Sequence, residues 1–319
     1  MLIFRDYKGI VNTNKGNVLA IGNFDGIHEG HRYLLNIGKD IAKRYNKNFD
    51  VLSFEPHPIK YLKPDSWSKR LISFRTKVRL LRHIDVNILY SIKFGKHLSK
   101  MSANEFIDLI LVKSLKVSTI IVGEDFRFGY KRMGNVDLLH QYSMNNLFTL
   151  KIVKKKNVGN DVCSSSKIRK MICNGEIKSA NKNLGYFWEV EGRVVHGDAR
   201  GRELGFPTAN INYNEQITPL KGVYAALIKI EEESNWRMGA VSSGVRPQFG
   251  KKGKEILEVN IFNFKKNIYG KRLRVAFVNK IREEEVFEST DSLVLQMQKD
   301  CEKIENELNK LSNNLNTFF

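Results

Sequence analysis

The chain has 319 residues, of which 42% are hydrophobic, and its formal net charge is +19. This length favours two domains over a single core, and no run of about 18 apolar residues occurs, so the sequence predicts no membrane-spanning segment. The N-terminus lacks the apolar stretch of a signal peptide, and Cys163, Cys173 and Cys301 form no paired motif. We therefore expect a cytoplasmic protein with no disulfide framework and no structural zinc site.

The positive charge is concentrated in one half of the chain. Residues 1–186 contain 33 lysines and arginines against 15 acidic residues, whereas residues 187–319 contain 20 against 19. A strongly basic half attracts polyanions such as nucleoside triphosphates, anionic lipid or nucleic acid. The alternative is a lysine-rich surface that serves solubility alone.

The first half alternates short apolar runs with helical patterns. We predict strands at 18–21, 51–54, 86–90 and 119–122, and helices at 33–41, 75–81 and 102–111. Ser102, with Glu105 three residues later, forms a capping box at the start of the third helix. Continuous β-branched runs separated by helices indicate an open, doubly wound α/β domain with a parallel sheet. Its ligands should bind at the carboxyl ends of the strands.

The second half has a different pattern. Ser164 and Gly185 are expected to cap a short helical pair between them, and β-rich segments follow at 190–195, 223–230, 238–241, 256–264 and 273–277. Strands at this spacing predict a small antiparallel β-barrel. One apolar stripe predicts a terminal helix and comprises Met297, Cys301, Ile304, Leu308 and Leu311. We place the domain boundary near residue 186, which gives domains 1–186 and 187–319.

Two histidines lie in a glycine-rich turn after the first predicted strand, in "GNFDGIHEGH" (22–31). Gly22 and Gly26 permit a tight turn, and a helix that begins near Gly30 directs free N–H groups at the strand end, where a phosphate can bind. His28 and His31 are one helical turn apart and can donate hydrogen bonds to phosphoryl oxygens. The pattern predicts a nucleotidyl-transfer site, although either histidine could instead cap the helix or pack.

A second polar pattern lies in "GFPTAN" (205–210). Thr208 and Asn210 alternate to one face of an extended segment, where their oxygens could bind Mg²⁺ directly or through water. Glu258 similarly alternates with apolar neighbours on a predicted strand. A glutamate that simply faces solvent would show the same pattern. The glycines here do not form a Walker A motif, and a glycine-rich turn is the alternative interpretation.

The motifs together resemble those of the prokaryotic bifunctional riboflavin kinase/FAD synthetase family. In the first half the resemblance is carried by "GNFDGIHEGH" (22–31), "SFEPHP" (53–58), "RLISFRTK" (70–77), "VGEDFRFG" (122–129) and "SSSKIR" (164–169). In the second half it is carried by "GRVVHGDARGRELGFPTANI" (192–211), "GVYAA" (222–226), "RPQFG" (246–250) and "LEVNIFNF" (257–264). The order of these segments along nearly the whole chain makes the resemblance specific.

For the first domain the resemblance implies a nucleotidylyltransferase-like fold that transfers the adenylyl group of ATP to FMN and releases pyrophosphate. His28 and His31 would stabilise the phosphates. The other residues implied to bind ATP are Gly22, Phe24, Asp25, Gly26, Gly30, Ser164 and Arg169. Those implied to bind the flavin are Asp125, Phe126, Arg127 and Phe128.

For the second domain the resemblance implies phosphorylation of riboflavin by ATP. Glu258 would be the general base that takes the proton of the riboflavin 5′-hydroxyl, and Arg246 would contact the flavin. Mg²⁺ would accompany ATP, with Thr208 and Asn210 as its ligands. The residues implied to bind ATP are Gly197, Gly205, Pro207, Thr208 and Asn210.

One segment departs from the family pattern. Where the family usually has Asn-Ile-Gly-Thr-Arg-Pro-Thr, this chain has Ser-Ser-Gly-Val-Arg-Pro-Gln at 242–248. This departure leaves open an enzyme that retains only the adenylyltransferase activity. An RNA-binding protein that uses the basic half is a further alternative, although the barrel is nearly neutral and carries no basic face with interleaved aromatics.

We expect ATP, riboflavin, FMN and FAD as partners, and neither nucleic acid nor a membrane. The sequence leaves the oligomeric state open.

Overall fold

The computed structural model describes residues 1–8, 16–159, 161–197, 200–213, 215–248 and 251–311. The chain forms two compact units. One contains Met1–Ser68 and Phe74–Cys163, and the other contains Lys69–Ser73 and the chain from Ser164 onward. The units thus separate before the helical pair, whereas the boundary near 186 concerns the division of activities and stays a prediction.

The first unit is built on a six-stranded parallel sheet. Its strands are β1 (Leu2–Phe4), β2 (Val18–Ile21), β3 (Phe49–Glu55), β4 (Ile88–Lys93), β5 (Thr119–Gly123) and β6 (Thr149–Val153). Its helices are α1 (Glu29–Arg44), α2 (Pro58–Leu62), α3 (Phe74–His83), α4 (Lys96–Lys100), α5 (Ala103–Glu105) and α6 (Val136–Met144). A π-helical segment, Phe106–Ser114, continues α5, and a two-residue hairpin pairs β7 (Asn157–Val158) with β8 (Asp161–Val162).

The strand order β1-β4-β3-β2-β5-β6 confirms the doubly wound sheet. The chain runs outward from β2 through β3 to β4, and then returns to place β5 on the other side of β2. Because β2 and β5 are parallel neighbours, the loops that follow them lie at the same edge of the sheet. In open α/β sheets, ligands usually bind at the point where the strand order changes direction in this way.

Burial explains why these segments form a central sheet. All four residues of β2 are buried, and β3 is buried along its first five residues. The capping box of Ser102 and Glu105 is present at the start of α5, as predicted. The edge strands β1 and β6 were not predicted, because β1 has only three residues and the side chains of both strands are mostly exposed.

The second unit begins with the predicted helical pair, α7 (Ser165–Cys173) and α8 (Ile177–Leu184). Ser164 caps α7, and Gly185 ends α8 with a φ of 76°, a conformation that favours glycine. A closed barrel follows, in the order β10-β13-β12-β11-β14-β9, and every neighbouring pair is antiparallel. Its strands are β9 (Glu189–Val195), β10 (Thr208–Asn212), β11 (Gly222–Ile230), β12 (Arg237–Gln248), β13 (Lys251–Ile261) and β14 (Arg272–Arg282). The short helix α9 (Arg200–Glu203) precedes β10.

The terminal helix α10 (Thr290–Asn309) covers part of the outer face of the barrel. Ile304 and Leu308, from the predicted apolar stripe, are fully buried against Ala225, Leu227 and neighbouring barrel residues. The Arg282 guanidinium on β14 also contacts Asp300 of this helix, with Nε 3.1 and 2.9 Å from the two carboxylate oxygens. These contacts confirm the predicted barrel with a terminal helix.

Within the part of the chain that the structure describes, no helix is long and apolar enough to cross a membrane.

Candidate active sites

The loop between β2 and α1 has an unusual backbone. Phe24, Gly26 and Ile27 have φ values of 48°, 89° and 36°. Positive φ suits glycine, but it costs about 1–3 kcal/mol for each other residue and persists only where surrounding contacts hold it. Phe24 and Ile27 are 2% and 1% exposed, so their packing holds the loop in this shape. Gly22 lies under the Phe24 ring, which a Cβ atom there would approach to 3.0 Å.

His28 and His31 stack on each other at the start of α1. Their ring centroids are 3.6 Å apart and their planes differ by 16°. The backbone N–H of His31 donates to Nδ1 of His28 at 3.3 Å, so His28 is the helix N-cap. In the neutral ring the proton of His28 is therefore on Nε2, which is a hydrogen-bond donor. Phe24 packs edge-on against His31, with a centroid distance of 5.3 Å.

Both imidazoles are kept neutral by their surroundings. Burial lowers the pKa of His28 to about 4, although the nearby carboxylates of Asp25 and Glu29 act in the opposite direction. The pKa of His31 is also well below its ordinary value, because of burial first and then the charges of His28 and Lys77. The Nδ1 atom of His31 is buried and has no hydrogen-bond partner among the described residues. Two neutral rings can stack closely and still donate hydrogen bonds to an anion.

The loop after β5 contributes aromatic rings. Phe126 and Phe128 stack with a centroid distance of 5.4 Å, and Phe128 also lies 5.4 Å from Phe106. The backbone of Phe128 pairs with Gly134 in both directions, which fixes this loop. Asp125 and Arg127 of the same loop are exposed, and Asp125 forms an ion pair of 3.0 Å with Lys155.

Part of this aromatic group was not predicted from the sequence. Phe54, at the end of β3, lies 6.0 Å from Phe94 and 6.2 Å from Phe106 between ring centroids. Together with Phe126 and Phe128 these rings form an aromatic wall near the carboxyl ends of β3, β4 and β5. Phe54 belongs to the quoted "SFEPHP" segment, so its position at the end of a predicted strand was an available signal.

Two of the predicted phosphate residues lie in the second unit. The Ser164 hydroxyl accepts a hydrogen bond of 3.3 Å from the backbone N–H of Lys167, as an N-cap does. The Nε atom of Arg169 donates to the carbonyl oxygen of Lys69 at 3.2 Å. Both residues thus have structural contacts of their own.

A row of polar residues crosses three neighbouring strands of the barrel. Asn210 on β10 is directly opposite Glu258 on β13, and Glu258 is directly opposite Ser242 on β12. The alternating neighbours Leu257 and Val259 are fully buried in the barrel interior. The row therefore lies on the outer face, where Glu258 is half-buried and Ser242 is exposed.

In this row, the side-chain oxygen of Asn210 gives the clearest indication of a bound ligand. The residue is 8% exposed, and its Oδ1 atom is buried without a hydrogen-bond partner among the described residues. A Cβ atom on Gly197 would overlap the Asn210 amide, so only glycine leaves room for this side chain. A buried amide oxygen without a partner is destabilising by about 1–3 kcal/mol, and a hard cation such as Mg²⁺ would remove that penalty. Thr208 lies on the same face of β10.

The segment 205–208 borders this row of polar residues. Gly205 has a φ of 83°, and the Pro207 carbonyl accepts a hydrogen bond of 2.9 Å from the Asn260 side chain. A cavity of about 410 Å³ lies beside Pro207 and Thr208. Its other walls are the loop 264–269, in which Tyr269 stacks on His196 at 4.0 Å, and side chains that include Ala209 and Val259, on the face of β10 and β13 opposite to Asn210 and Glu258.

The segment that departs from the family pattern is only partly described. Ser243 is buried and its hydroxyl donates to the Pro219 carbonyl at 3.3 Å. The backbone of Arg246 pairs with Lys254 in the β12–β13 ladder, but the Arg246 side chain lies outside the described residues. Residues 249 and 250 of the quoted "RPQFG" also lie outside them.

Comparisons with known proteins assign both units. A family model for FAD synthetase matches residues 10–167, and a model for riboflavin kinase matches residues 184–308. The bifunctional riboflavin kinase/FMN adenylyltransferase of Buchnera aphidicola subsp. Schizaphis graminum is 35% identical over 97% of this chain and 99% of that protein. The Escherichia coli (strain K12) protein of the same description is 35% identical over 92% of this chain and 94% of its own length.

A solved structure from Streptococcus pneumoniae, titled as a macrolide-efflux protein, is also similar. It is 29% identical, its TM-score is 0.85, and the match covers 96% of this chain and 98% of that chain.

The parallel sheet and the barrel, matched by an FAD synthetase model and a riboflavin kinase model, define a transferase with two activities in one chain. The chain belongs to the bifunctional riboflavin kinase/FMN adenylyltransferase family. It phosphorylates riboflavin to FMN, and it adenylylates FMN to FAD with release of pyrophosphate. The resemblance and the bifunctional activity predicted from the sequence are thereby confirmed.

Proposed function

We propose that the loop between β2 and α1 is where adenylyl transfer takes place. ATP would bind with its phosphates at the start of α1, within hydrogen-bond reach of His28 and His31. The stacked histidine pair, at the edge where the sheet changes direction, is the observation that carries this proposal. The backbone around these rings comprises the other residues proposed to hold ATP, namely Gly22, Phe24, Asp25, Gly26 and Gly30.

In the reaction, a phosphate oxygen of FMN attacks the α-phosphorus of ATP, and the bond to pyrophosphate breaks. Negative charge grows on the oxygens of the leaving pyrophosphate. The Nε2–H group of neutral His28 would donate to one of these oxygens, and His31 would do the same from the next turn. Preformed donors of this kind stabilise charge without reorganisation. Ser164 and Arg169 are kept as proposed phosphate contacts on the resemblance alone.

The flavin would lie along Phe126 and Phe128, because isoalloxazine stacks on aromatic faces. Arg127 is exposed in the same loop and could pair with the FMN phosphate. Asp125 would belong to the same side of the site. The aromatic wall extends this surface through Phe54 and Phe106.

A structure with FMN and a non-hydrolysable ATP analogue tests this proposal. We expect phosphoryl oxygens within about 3.2 Å of the His28 Nε2 atom or the His31 ring, and the flavin against Phe126 or Phe128. Phosphates bound elsewhere, with both imidazoles away from them, would contradict it.

We propose that riboflavin phosphorylation takes place on the outer barrel face. Glu258 would accept the proton of the 5′-hydroxyl as this oxygen attacks the γ-phosphorus of ATP, and ADP would leave. The Asn210 amide oxygen and the Thr208 hydroxyl would hold Mg²⁺, which offsets charge on the transferred phosphoryl group. Gly197 and Gly205 would give the nucleotide a Cβ-free approach to this face. Arg246 is kept as a proposed flavin contact.

Replacement of the carboxylate tests the kinase proposal. Glu258→Gln keeps the shape of the side chain but removes the base, so we expect kcat for FMN formation to fall by about 10²–10⁴-fold. Glu288→Gln makes the same change at an exposed glutamate of the second unit and should leave kcat unchanged. Full FMN formation by Glu258→Gln would exclude the proposed base.

We propose that residues 1–186 carry adenylyl transfer and residues 187–319 carry the kinase. We propose that the protein works in the reducing cytoplasm, because its sequence has no paired cysteine motif.

A further inference from the structure

Lys77 is a buried cation close to the histidine pair, and neither reaction step described above uses it. It lies on α3 and is 7% exposed. Its Nζ atom donates to the carbonyl oxygen of Asn23 at 2.8 Å and lies 3.4 Å from the Ser53 hydroxyl oxygen. The Ser53 hydroxyl donates to the same carbonyl at 3.3 Å. Two donors from two different elements therefore converge on one backbone oxygen.

The carbonyl that they hold begins the strained part of the loop. Phe24 follows directly with its positive φ, and Ile27, a β-branched residue at a φ of 36°, immediately precedes His28. Packing fixes the two apolar side chains, whereas Lys77 and Ser53 fix the backbone at the start of the segment. Displacement of the Asn23 carbonyl would be transmitted through this segment to His28.

The charge of Lys77 also reaches the second ring. It is one of the groups that hold the pKa of His31 low, after burial and the charge of His28. Lys77 thus favours the neutral form of His31 as well as the shape of the loop.

We propose that Lys77 is a positioning residue for adenylyl transfer, because its ammonium group anchors the loop that presents His28 and His31 to the phosphates. This inference rests on the proposed phosphate role of the two histidines. The Asn23 carbonyl transmits the effect, and Lys77 itself is not assigned a contact with substrate.

A double-mutant cycle tests the anchor. We expect Lys77→Met to lower kcat for FAD formation from FMN by about 10–100-fold, since small displacements of reacting groups cost that much. Ser53→Ala should give a smaller loss. The double variant should lose less than the product of the two single effects, because both donors act on one carbonyl. Lys43→Met, which removes an exposed charge on α1, is the matched control.

Two readouts separate positioning from a merely structural role. Riboflavin phosphorylation by the same preparations should stay unchanged. In NMR titrations of the histidine rings, Lys77→Met should raise the titration midpoint of His31, while Ser53→Ala, which removes no charge, should leave it in place. Should Lys77→Met fail to fold, Ser53→Ala and its kcat carry the test alone.

Three results would overturn the inference. The first is a kcat for Lys77→Met within about twofold of wild type while His28→Asn abolishes FAD formation. The second, if Lys77→Met does not fold, is an unchanged kcat for Ser53→Ala. The third is fully multiplicative losses in the double variant. Retention of full activity by His28→Asn would instead remove the proposed phosphate role, and the inference with it.

Discussion

Asn210 and Glu258 lie directly opposite each other on β10 and β13 of the barrel. On opposed antiparallel residues, side chains start about 4.5–5.5 Å apart at their Cβ atoms, so one substrate can touch both. Asn210 offers an amide oxygen that has no hydrogen-bond partner among the described residues, and Glu258 offers a carboxylate. The proposed metal ligand and the proposed base therefore lie at the same point of the outer face.

The metal role of Asn210 predicts a change in magnesium dependence. Asn210→Leu should raise the Mg²⁺ concentration for half-maximal FMN formation by about 10-fold or more, because it removes an oxygen ligand. Asn210→Asp, which keeps an oxygen, should raise it less. Magnesium titrations of FMN formation and of FAD formation measure these shifts. An unchanged Mg²⁺ requirement for FMN formation in Asn210→Leu would exclude the ligand role. Asn212→Leu on the same strand is the control.

The aromatic wall predicts a selective effect on FMN. Phe126→Leu should raise KM for FMN in adenylyl transfer by about threefold to tenfold, which corresponds to the loss of one stacking contact. Phe126 is preferable to Phe128, because truncation of the buried Phe128 would destabilise the unit. Tyr130→Leu, an exposed aromatic nearby, should have no effect on KM. Equal KM values for wild type and Phe126→Leu would remove this ring from the flavin site.

The low pKa of His28 predicts how stability depends on pH. A histidine takes up its proton near pH 6.5 in the unfolded chain, whereas His28 does so near pH 4 in the folded one. Between these values the unfolded chain binds more protons, so the free energy of unfolding falls as the pH falls. By pH 4 this effect has lowered the free energy of unfolding by about 3 kcal/mol. His28→Asn should remove this part of the pH dependence, as read from hydrogen exchange of the β2 and β3 amides.

Asp50 provides a control of opposite sign in the same sheet. Burial raises the pKa of this carboxyl to about 6, although Asn17 donates to it at 2.6 Å. The folded state keeps the proton at a higher pH than the unfolded state does, so this stabilisation is lost as the pH rises through about 6. Asp50→Asn should therefore flatten the opposite slope. Identical pH profiles for wild type and both variants would contradict these assignments.

The uneven charge predicts different salt dependence for the two reactions. Both substrates of adenylyl transfer are anions that approach the basic half, so kcat/KM for FAD formation should fall steeply with ionic strength. Riboflavin is uncharged and the barrel half carries only a small net charge, so kcat/KM for FMN formation should fall less. Parallel salt titrations with Mg²⁺ held constant compare the two. Equal slopes would show that the charge does not steer substrates.

Much of the fold could be predicted because the buried strands appear in the sequence as continuous apolar runs. β2 and β5 match the predicted segments closely, and the caps at Ser102, Ser164 and Gly185 follow from local hydrogen bonding and backbone freedom. The strand predicted at 86–90 is instead Ile88–Lys93, because Val86 is buried in the turn that precedes it. The strand predicted at 238–241 is instead Arg237–Gln248, because residues 242–248 include few apolar side chains and therefore give no strand pattern.

The sites were harder to predict than the strands. The spacing of His28 and His31 indicated a shared face, but the stacking and the proton position depend on the Phe24 packing and the N-cap. The contact of Lys77 with Asn23 could not be predicted, because the two residues are 54 positions apart in the chain. The opposition of Asn210 and Glu258 depends on the register of two strands, which no single segment specifies.

The account depends most on the separation of two chemistries between two groups of residues. Incubation with riboflavin, ATP and Mg²⁺, followed by chromatography of the flavins, tests this directly in Glu258→Ala and in His28→Ala/His31→Ala. The glutamate variant should form no FMN from riboflavin yet convert added FMN to FAD, and the histidine variant should accumulate FMN without FAD. Wild-type rates of FAD formation from riboflavin in both variants would contradict the account.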